Sequence, residues 1–265
     1  MKQVTLVMLY GTKPSRLSAL ILACQEQITR ALGDYFQPYA LFQIHATLVS
    51  LARVAGSAMS NLYLNKYRNQ AKQMDMRELL DFLRFGGRFP FQIQIGGFQN
   101  RNYPFTSQGQ KPYERSFSLS GRNPTIALMV GWPIRGKPLT IAEFNKFNLL
   151  QEEQIYPNIL HETRQAVQNF NILHAYHQKL TDIDNDFYMR IGLIHQLPPD
   201  HASLKEVEAT LRECISTVEP IIIEITLSDI YVVSYQDETL PLASTQAWPL
   251  DDAKVTHEFI WNLYE

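Results

Sequence analysis

The feature that most constrains the fold is the run over residues 42–51, where apolar and polar side chains alternate. A period of two is typical of a β-strand with one buried face. The alternate apolar residues from Ile44 onward would then point into a core, and His45 and Thr47 would point together to the other side. An imidazole and a hydroxyl so placed can act on one small group, because the imidazole moves protons near neutral pH. A half-exposed strand without a chemical role would show the same pattern, so these residues alone do not decide function.

Length and composition indicate a globular protein. The 265 residues fit one large domain or two lobes, and 45% hydrophobic residues are ample for a packed core. No run approaches the roughly 18 apolar residues of a membrane helix, and the N-terminal residues lack a signal-peptide cleavage site. The two cysteines, Cys24 and Cys214, lie far apart and are interpreted as buried thiols in a reducing compartment. We therefore expect a cytoplasmic protein without a membrane partner.

The net charge of −2 argues against capture of duplex DNA, which needs a basic face. It leaves room for a small phosphate-bearing ligand, or an RNA terminus, held in a local cleft. No zinc-binding pattern occurs, and the sequence predicts neither a metal nor a cofactor. It says nothing about the oligomeric state.

Periodicity and turn residues predict strands and helices that alternate irregularly along the chain. The predicted strands cover residues 4–10, 42–51, 91–98, 115–120, 125–132, 187–194, 221–226 and 230–235. The predicted helices cover residues 16–32, 75–85, 140–155, 159–180 and 198–218, and residues 99–110 form a long loop. This order indicates an α+β fold with two similar halves rather than a parallel βαβ series. We expect a single bilobal domain over residues 1–240 and a C-terminal tail over 241–265.

The order of elements, with His45-Ala46-Thr47 on the second strand, resembles the 2H phosphoesterase superfamily. Its best-known members are the bacterial RNA 2′,3′-cyclic phosphodiesterases, also called 2′-5′ RNA ligases. Phe91–Phe98 looks like the mid-chain strand of that family, Ala127–Trp132 like the strand after it, and Ile221–Tyr235 like its closing strand pair. The resemblance implies two pseudo-symmetric lobes, each a small, mainly antiparallel sheet with outer helices, around a central cleft. Each lobe would give one His-x-Thr/Ser motif to that cleft.

The second motif departs from the family pattern. The matching strand is Phe187–Ile194, in which Tyr188 occupies the histidine position and Arg190 the threonine position. Strand alternation gives Tyr188, Arg190 and Gly192 a common face, which the family would direct at the cleft. A strand aromatic in the core and an ordinary ion pair are the plain structural explanations for Tyr188 and Arg190.

The resemblance implies a phosphodiesterase mechanism in which one group takes a proton and another gives one. We expect His45 to be the base, Tyr188 the acid, and Thr47 and Arg190 to hold the phosphate, without a metal. The predicted function is 2H phosphoesterase-like action, as a hydrolase, on a cyclic phosphate or phosphodiester of a nucleotide or RNA end. The alternative is a catalytically impaired member that binds such a ligand without turnover. A non-enzymatic interaction module is a third class, so the sequence leaves enzymatic activity open.

Other polar residues offer competing sites. His201-Ala202-Ser203 also matches His-x-Ser, but it is predicted to open a helix, where the side chains splay apart. His195 lies on the strand of Arg190 with opposite parity and is a reserve proton carrier. His174 and His177 fall on one helix face, which is either solvated or part of a metal site completed by His161 or Asp182. The loop residues Arg101, Tyr103 and Phe105 could stack on a base or simply form a hairpin connection.

Overall fold

The computed structural model of the chain describes residues 1–56, 59–121, 124–136, 157–196 and 204–265. The fold is α+β, as predicted, with a mainly antiparallel open sheet. Its ten strands are β1 (Gln3–Met8), β2 (Phe36–Pro38), β3 (Ala46–Ser50), β4 (Phe91–Ile95), β5 (Phe117–Ser120), β6 (Thr125–Arg135), β7 (Phe187–Ile194), β8 (Ile221–Ile225), β9 (Ile230–Tyr235) and β10 (Gln246–Pro249). The helices of the described residues are α1 (Ser15–Leu32), α2 (Leu62–Arg68), α3 (Met76–Phe85), α4 (Pro112–Arg115), α5 (Ile159–Ala166), α6 (Leu204–Thr217) and α7 (His257–Asn262).

The strands follow the order β10-β9-β1-β3-β7-β6-β4-β8, with β2 beside β7 and β5 beside β6. The pairings are antiparallel, including the one between β3 and β7 that joins the two halves of the path. The β3–β7 pairing is short, since the register pairs only Ala46 with Met189. Two strands distant in sequence therefore meet at the middle of the sheet.

One face of the sheet carries the main core. Leu17, Ile21 and Ile28 recur at helical spacing on α1 and are fully buried. They belong to the same apolar cluster as Ala46 of β3 and Met189 of β7. Alternation along these strands consequently sends their remaining side chains to the opposite face.

The opposite face of the sheet carries two small apolar clusters. One consists of Val7, Tyr10, Val233 and Leu240, next to β1 and β9. The other consists of Phe98, Leu128, Val130, Trp132 and Tyr188, next to β6 and β7. Between them, where β3 meets β7, the face is polar.

The helix predicted over residues 159–180 is wrong beyond its first two turns. It ends at Ala166, continues as a single 3₁₀ turn to Phe170, and stops at Asn171, which has a left-handed backbone with φ of 60°. The chain then runs irregularly to β7. The predicted helix over 140–155, and the His201-Ala202-Ser203 motif, lie outside the described residues.

The segment set apart as a C-terminal tail is packed into the structure. Residues 246–249 form the edge strand β10, which pairs with β9. Leu250, Ile260 and Tyr264 are buried, and the Tyr264 hydroxyl donates to the carbonyl of Leu51 at 2.6 Å. The segment therefore closes one end of the sheet.

No helix among the described residues is both long enough and apolar enough to cross a membrane.

Candidate functional site

A cleft of about 530 Å³, part of it open to solvent, lies on the polar face of the sheet where β3 meets β7. We call it the central cleft. Its lining residues are Thr5, His45, Thr47, Ser50, Tyr63, His174, Ala175, Tyr176, Tyr188, Arg190, Tyr235, Glu238 and Leu240. All four residues that the sequence singles out for phosphate chemistry are among them.

Register explains why these four residues converge. Ala46 of β3 lies opposite Met189 of β7 in an antiparallel pair. The residues flanking that pair, His45 with Arg190 and Thr47 with Tyr188, consequently lie across from each other on the other face. We call His45 and Thr47 the β3 wall, and Tyr188 and Arg190 the β7 wall.

His45 is buried and held in one tautomer. Its Nδ1 lies 2.8 Å from the carbonyl oxygen of Gln43, which ends a 3₁₀ turn just before β3. Because a carbonyl only accepts, Nδ1 donates, and Nε2 of the neutral ring is left as a proton acceptor. Burial lowers the pKa of His45 to about 4, the Gln43 hydrogen bond opposes that change, and the charges of Arg190 and Lys13 lower it further. The ring is therefore neutral at pH 7.

Lys13 lies near His45 but is not among the residues that line the central cleft. Its ammonium donates to the carbonyl oxygens of Leu9 at 3.1 Å and Gly11 at 2.8 Å. Burial lowers the pKa of Lys13 to about 8. Its charge acts on the site from a distance.

Tyr188 is buried in the aromatic wall of the cleft. Its ring meets that of Tyr176 edge-on, with centroids 5.2 Å apart at 89°. Burial raises the pKa of Tyr188, the nearby Tyr176 hydroxyl adds to that increase, and the charges of Arg164 and Arg190 oppose it. The hydroxyl therefore keeps its proton over the physiological range, so it can form hydrogen bonds or give a proton but cannot act as a base.

Arg190 is half-buried, and it is the single lysine or arginine among the described residues that line the cleft. Within the described part of the chain its guanidinium forms no ion pair. Burial alone would lower its pKa, but the surrounding tyrosines and Glu238 raise it overall, so the group is always charged. A partly buried guanidinium without a carboxylate partner is suited to binding an anion.

Arg164 of α5 connects the two walls from beneath and is fully buried. Its guanidinium donates to the carbonyl oxygens of Thr47 at 2.7 Å and Leu48 at 3.1 Å, on β3. It also donates to those of Asp184 at 3.2 Å and Asp186 at 3.0 Å, just before β7, and pairs with the Asp184 carboxylate at 3.1 Å. Beyond the short β3–β7 pairing, these bonds take the place of backbone hydrogen bonds between the two strands. They fix the distance between the two walls.

His161, His174 and His177 form a buried group beside the cleft, which His174 itself lines, and we call this group the histidine cluster. The His161 and His177 rings are 5.3 Å apart, and those of His174 and His177 are 6.2 Å apart. Burial lowers the pKa of His161 and of His177 to about 3, with neighbouring positive groups adding to the effect, and that of His174 falls well below its usual range. The prediction of a solvated helix face is therefore wrong for His174 and His177. Among the described residues, no group of three or more His, Cys, Asp or Glu is placed to hold a metal ion.

The other candidates lie away from the cleft. His195 is exposed, and its Nε2 lies 2.7 Å from Oε1 of Gln37. Tyr103 and Phe105 of the long loop pack on Phe98, with ring centroids 5.5 and 6.4 Å away, and do not line the cleft. The loop is thus a packed connection beside the β7 wall.

Sequence reasoning did not assign to the cleft its seven further polar or aromatic residues, which are Thr5, Ser50, Tyr63, His174, Tyr176, Tyr235 and Glu238. Tyr235 ends β9 and shares a face with Val233, so strand alternation could have found it. Thr5 and Ser50 lie on β1 and β3, and the other four lie on α2 or on irregular segments, where no periodic pattern tells which way a side chain points.

A scan against models of known protein families gives no match for this chain, and a search of curated protein sequences gives none either.

Proposed function

We propose that the central cleft binds the phosphate group of a nucleotide or RNA end, and opens a cyclic phosphate there by metal-independent acid/base chemistry. One observation carries the proposal. An imidazole, two hydroxyls and a guanidinium, from strands far apart in sequence, line a single cleft in which Arg190 has no ion-pair partner among the described residues. This set can take a proton, give a proton and hold an anion.

The proposed roles follow from the protonation states. Nε2 of His45 takes a proton from water, the water oxygen attacks phosphorus, and the Tyr188 hydroxyl gives its proton to the leaving ribose oxygen. Arg190 and the Thr47 hydroxyl hold the remaining phosphate oxygens as charge develops on them. An anion bound beside His45 stabilises its imidazolium form, and so raises its pKa from about 4 toward neutrality.

The strand order supports a relationship to the 2H phosphoesterase superfamily. The β3–β7 pairing divides the strand order into two groups of four, β10-β9-β1-β3 and β7-β6-β4-β8. In each group the motif strand pairs with a strand that comes earlier in the sequence, β3 with β1 and β7 with β6. This is the arrangement expected of two pseudo-symmetric lobes that each contribute one motif. The chain would then be a member in which tyrosine and arginine replace the second His-x-Thr.

A second candidate function is binding without turnover. The burial of Tyr188 favours it, because a hydroxyl whose pKa is raised gives up its proton reluctantly to a leaving group. Arg190 and Thr47 would still bind the phosphate.

Hydrolysis of adenosine 2′,3′-cyclic monophosphate, followed together with the ligand-induced increase in Tm, distinguishes these functions. Under the first proposal the wild type turns the ligand over, and His45→Ala lowers kcat by about 10²–10⁴. Arg190→Ala weakens binding by about 10–100-fold, because a charge-assisted contact is lost. His195→Ala, a surface change, serves as the matched control and should alter neither.

Stabilisation without turnover supports the second function. A wild type that neither binds nor hydrolyses this ligand contradicts both, and leaves a non-enzymatic interaction module.

A further inference from the structure

The charge of the central cleft is nearly balanced. Arg190 supplies its one guanidinium and Glu238 its one carboxylate among the described lining residues. His45 and His174 have lowered pKa values and are neutral at pH 7. The other polar lining residues are seven uncharged hydroxyls, those of Thr5, Thr47, Ser50, Tyr63, Tyr176, Tyr188 and Tyr235.

The tyrosine hydroxyls stay protonated, since burial raises the pKa of each of the four. They can therefore donate to an anion without adding positive charge to the cleft. Lys13 does not line the cleft, and its ammonium donates to two backbone carbonyls, so its charge reaches the site only from a distance.

Glu238 lies at the rim, on the exposed segment between β9 and β10. Its charge acts on Arg190 and on the hydroxyls of Tyr63 and Tyr235, whose pKa values it raises. No ion pair joins Glu238 to Arg190 among the described residues. Glu238 thus places a negative charge at the mouth of the same cleft that Arg190 lines.

We infer that Glu238 is a specificity-determining residue that makes the cleft selective for singly charged phosphate diesters over doubly charged phosphate monoesters. Repulsion by the carboxylate at the rim grows with the charge of the ligand, so Glu238 opposes a doubly charged phosphate about twice as strongly as a singly charged one. The inference rests on the proposed function and deepens it. A cyclic phosphate carries one charge and its hydrolysis product close to two at pH 7.5, so the same repulsion would favour release of the product.

The test compares the Kd values of adenosine 2′,3′-cyclic monophosphate and adenosine 3′-monophosphate, measured by calorimetry at pH 7.5 and low salt. The inactive His45→Ala background prevents turnover during the measurement. We expect the cyclic compound to bind more tightly, and Glu238→Gln to strengthen binding of the monophosphate by about threefold but that of the cyclic compound by less than about twofold, because the repulsion scales with the charge of the ligand. High salt should reduce the difference, since it screens charges at an exposed rim.

Asp237→Asn is the matched control, because Asp237 is the neighbouring exposed carboxylate and does not line the cleft. An equal response to Asp237→Asn and Glu238→Gln, or no change in the ratio of the two Kd values with Glu238→Gln, would overturn the inference while the phosphate site stands. If neither ligand binds, the proposed function fails and the inference fails with it.

Discussion

The two walls of the central cleft occupy equivalent positions on paired strands but differ in how they hold protons. On the β3 wall, His45 is tied to the Gln43 carbonyl through Nδ1 and presents an unprotonated Nε2. On the β7 wall, Tyr188 and Arg190 both have raised pKa values and keep their protons. At neutral pH the first wall therefore offers a proton acceptor, whereas the second carries groups that are fully protonated.

Under the proposed function, two unlike motifs form one acid/base site. A pair of histidines needs its two pKa values to be separated by the surroundings, so that one acts as base and the other as acid. In the central cleft the two groups are a histidine and a tyrosine, whose ordinary pKa values already differ. Under that proposal the two roles cannot be exchanged, because Tyr188 is not ionised near neutral pH and so cannot act as the base.

The distance between the two walls depends on Arg164, which is bonded to the backbone of both. Arg164→Met would remove these bonds. The variant keeps the aliphatic stem but removes the donors to Thr47 and Leu48 and leaves the buried Asp184 carboxylate without its guanidinium. We expect the free energy of unfolding to fall by about 3–5 kcal/mol, measured by urea denaturation. Arg30→Met, which breaks the exposed Arg30–Glu26 pair, should cost no more than about 0.5 kcal/mol. Equal losses in the two variants would show that the buried bonds do not join the walls.

The sequence predicts the two walls well because Thr47, Tyr188 and Arg190 lie on strands. The strand predicted over 42–51 is shorter than expected, since a 3₁₀ turn covers Leu41–Gln43 and His45 directly precedes β3. The bounds of β7 and β9 are those predicted from alternation, and α3 begins after its Asp75 cap as expected, with the carboxylate accepting from the amide of Glu78 at 3.1 Å. Alternation is a local property, so it also gives the face on which His45 and Arg190 lie. What it cannot give is the pairing of β3 with β7, which depends on contacts distant in sequence.

The segment between α5 and β7 could not be predicted, for a physical reason. His174 and His177 have helical spacing in the sequence, yet they are buried among polar partners such as Asp184, 3.4 Å from His174 Nε2. Asn171 ends the helical conformation, and burial of these residues then depends on tertiary packing rather than on propensity. The packing of the C-terminal segment is hard to predict for a similar reason, since β10 pairs with β9 over only four residues, too few to show a clear alternation.

Acid should distinguish the walls, because only the β3 wall titrates between pH 7.5 and 4. The pKa of His45 is about 4 in the folded chain and near 6.5 when unfolded, so the unfolded chain binds the proton first as the pH falls. Its contribution to stability is complete above pH 6.5 and is lost toward pH 4, at about 1 kcal/mol per pH unit and about 3 kcal/mol in all. The histidine cluster adds to the same slope.

Urea denaturation of the wild type and two variants across this range isolates the contribution of the β3 wall. His45→Gln should flatten the dependence of unfolding free energy on pH by about 1 kcal/mol per unit, whereas Tyr188→Phe should leave the slope unchanged. A slope that does not respond to His45→Gln would mean that this imidazole is not held neutral by the fold.

The smallest expected effect concerns the hydroxyl of the β3 wall. Thr47 is half-buried, and its side chain forms no hydrogen bond within the described part of the chain, although its carbonyl accepts from Arg164. Thr47→Val keeps the shape and removes the hydroxyl, so we expect adenosine 2′,3′-cyclic monophosphate to bind about two- to tenfold more weakly, the value of one neutral hydrogen bond. Thr217→Val on the exposed end of α6 is the control and should leave Kd unchanged. Unchanged affinity in Thr47→Val as well would leave His45 as the only ligand contact of the β3 wall, and would assign recognition of the phosphate to Arg190 and the β7 wall.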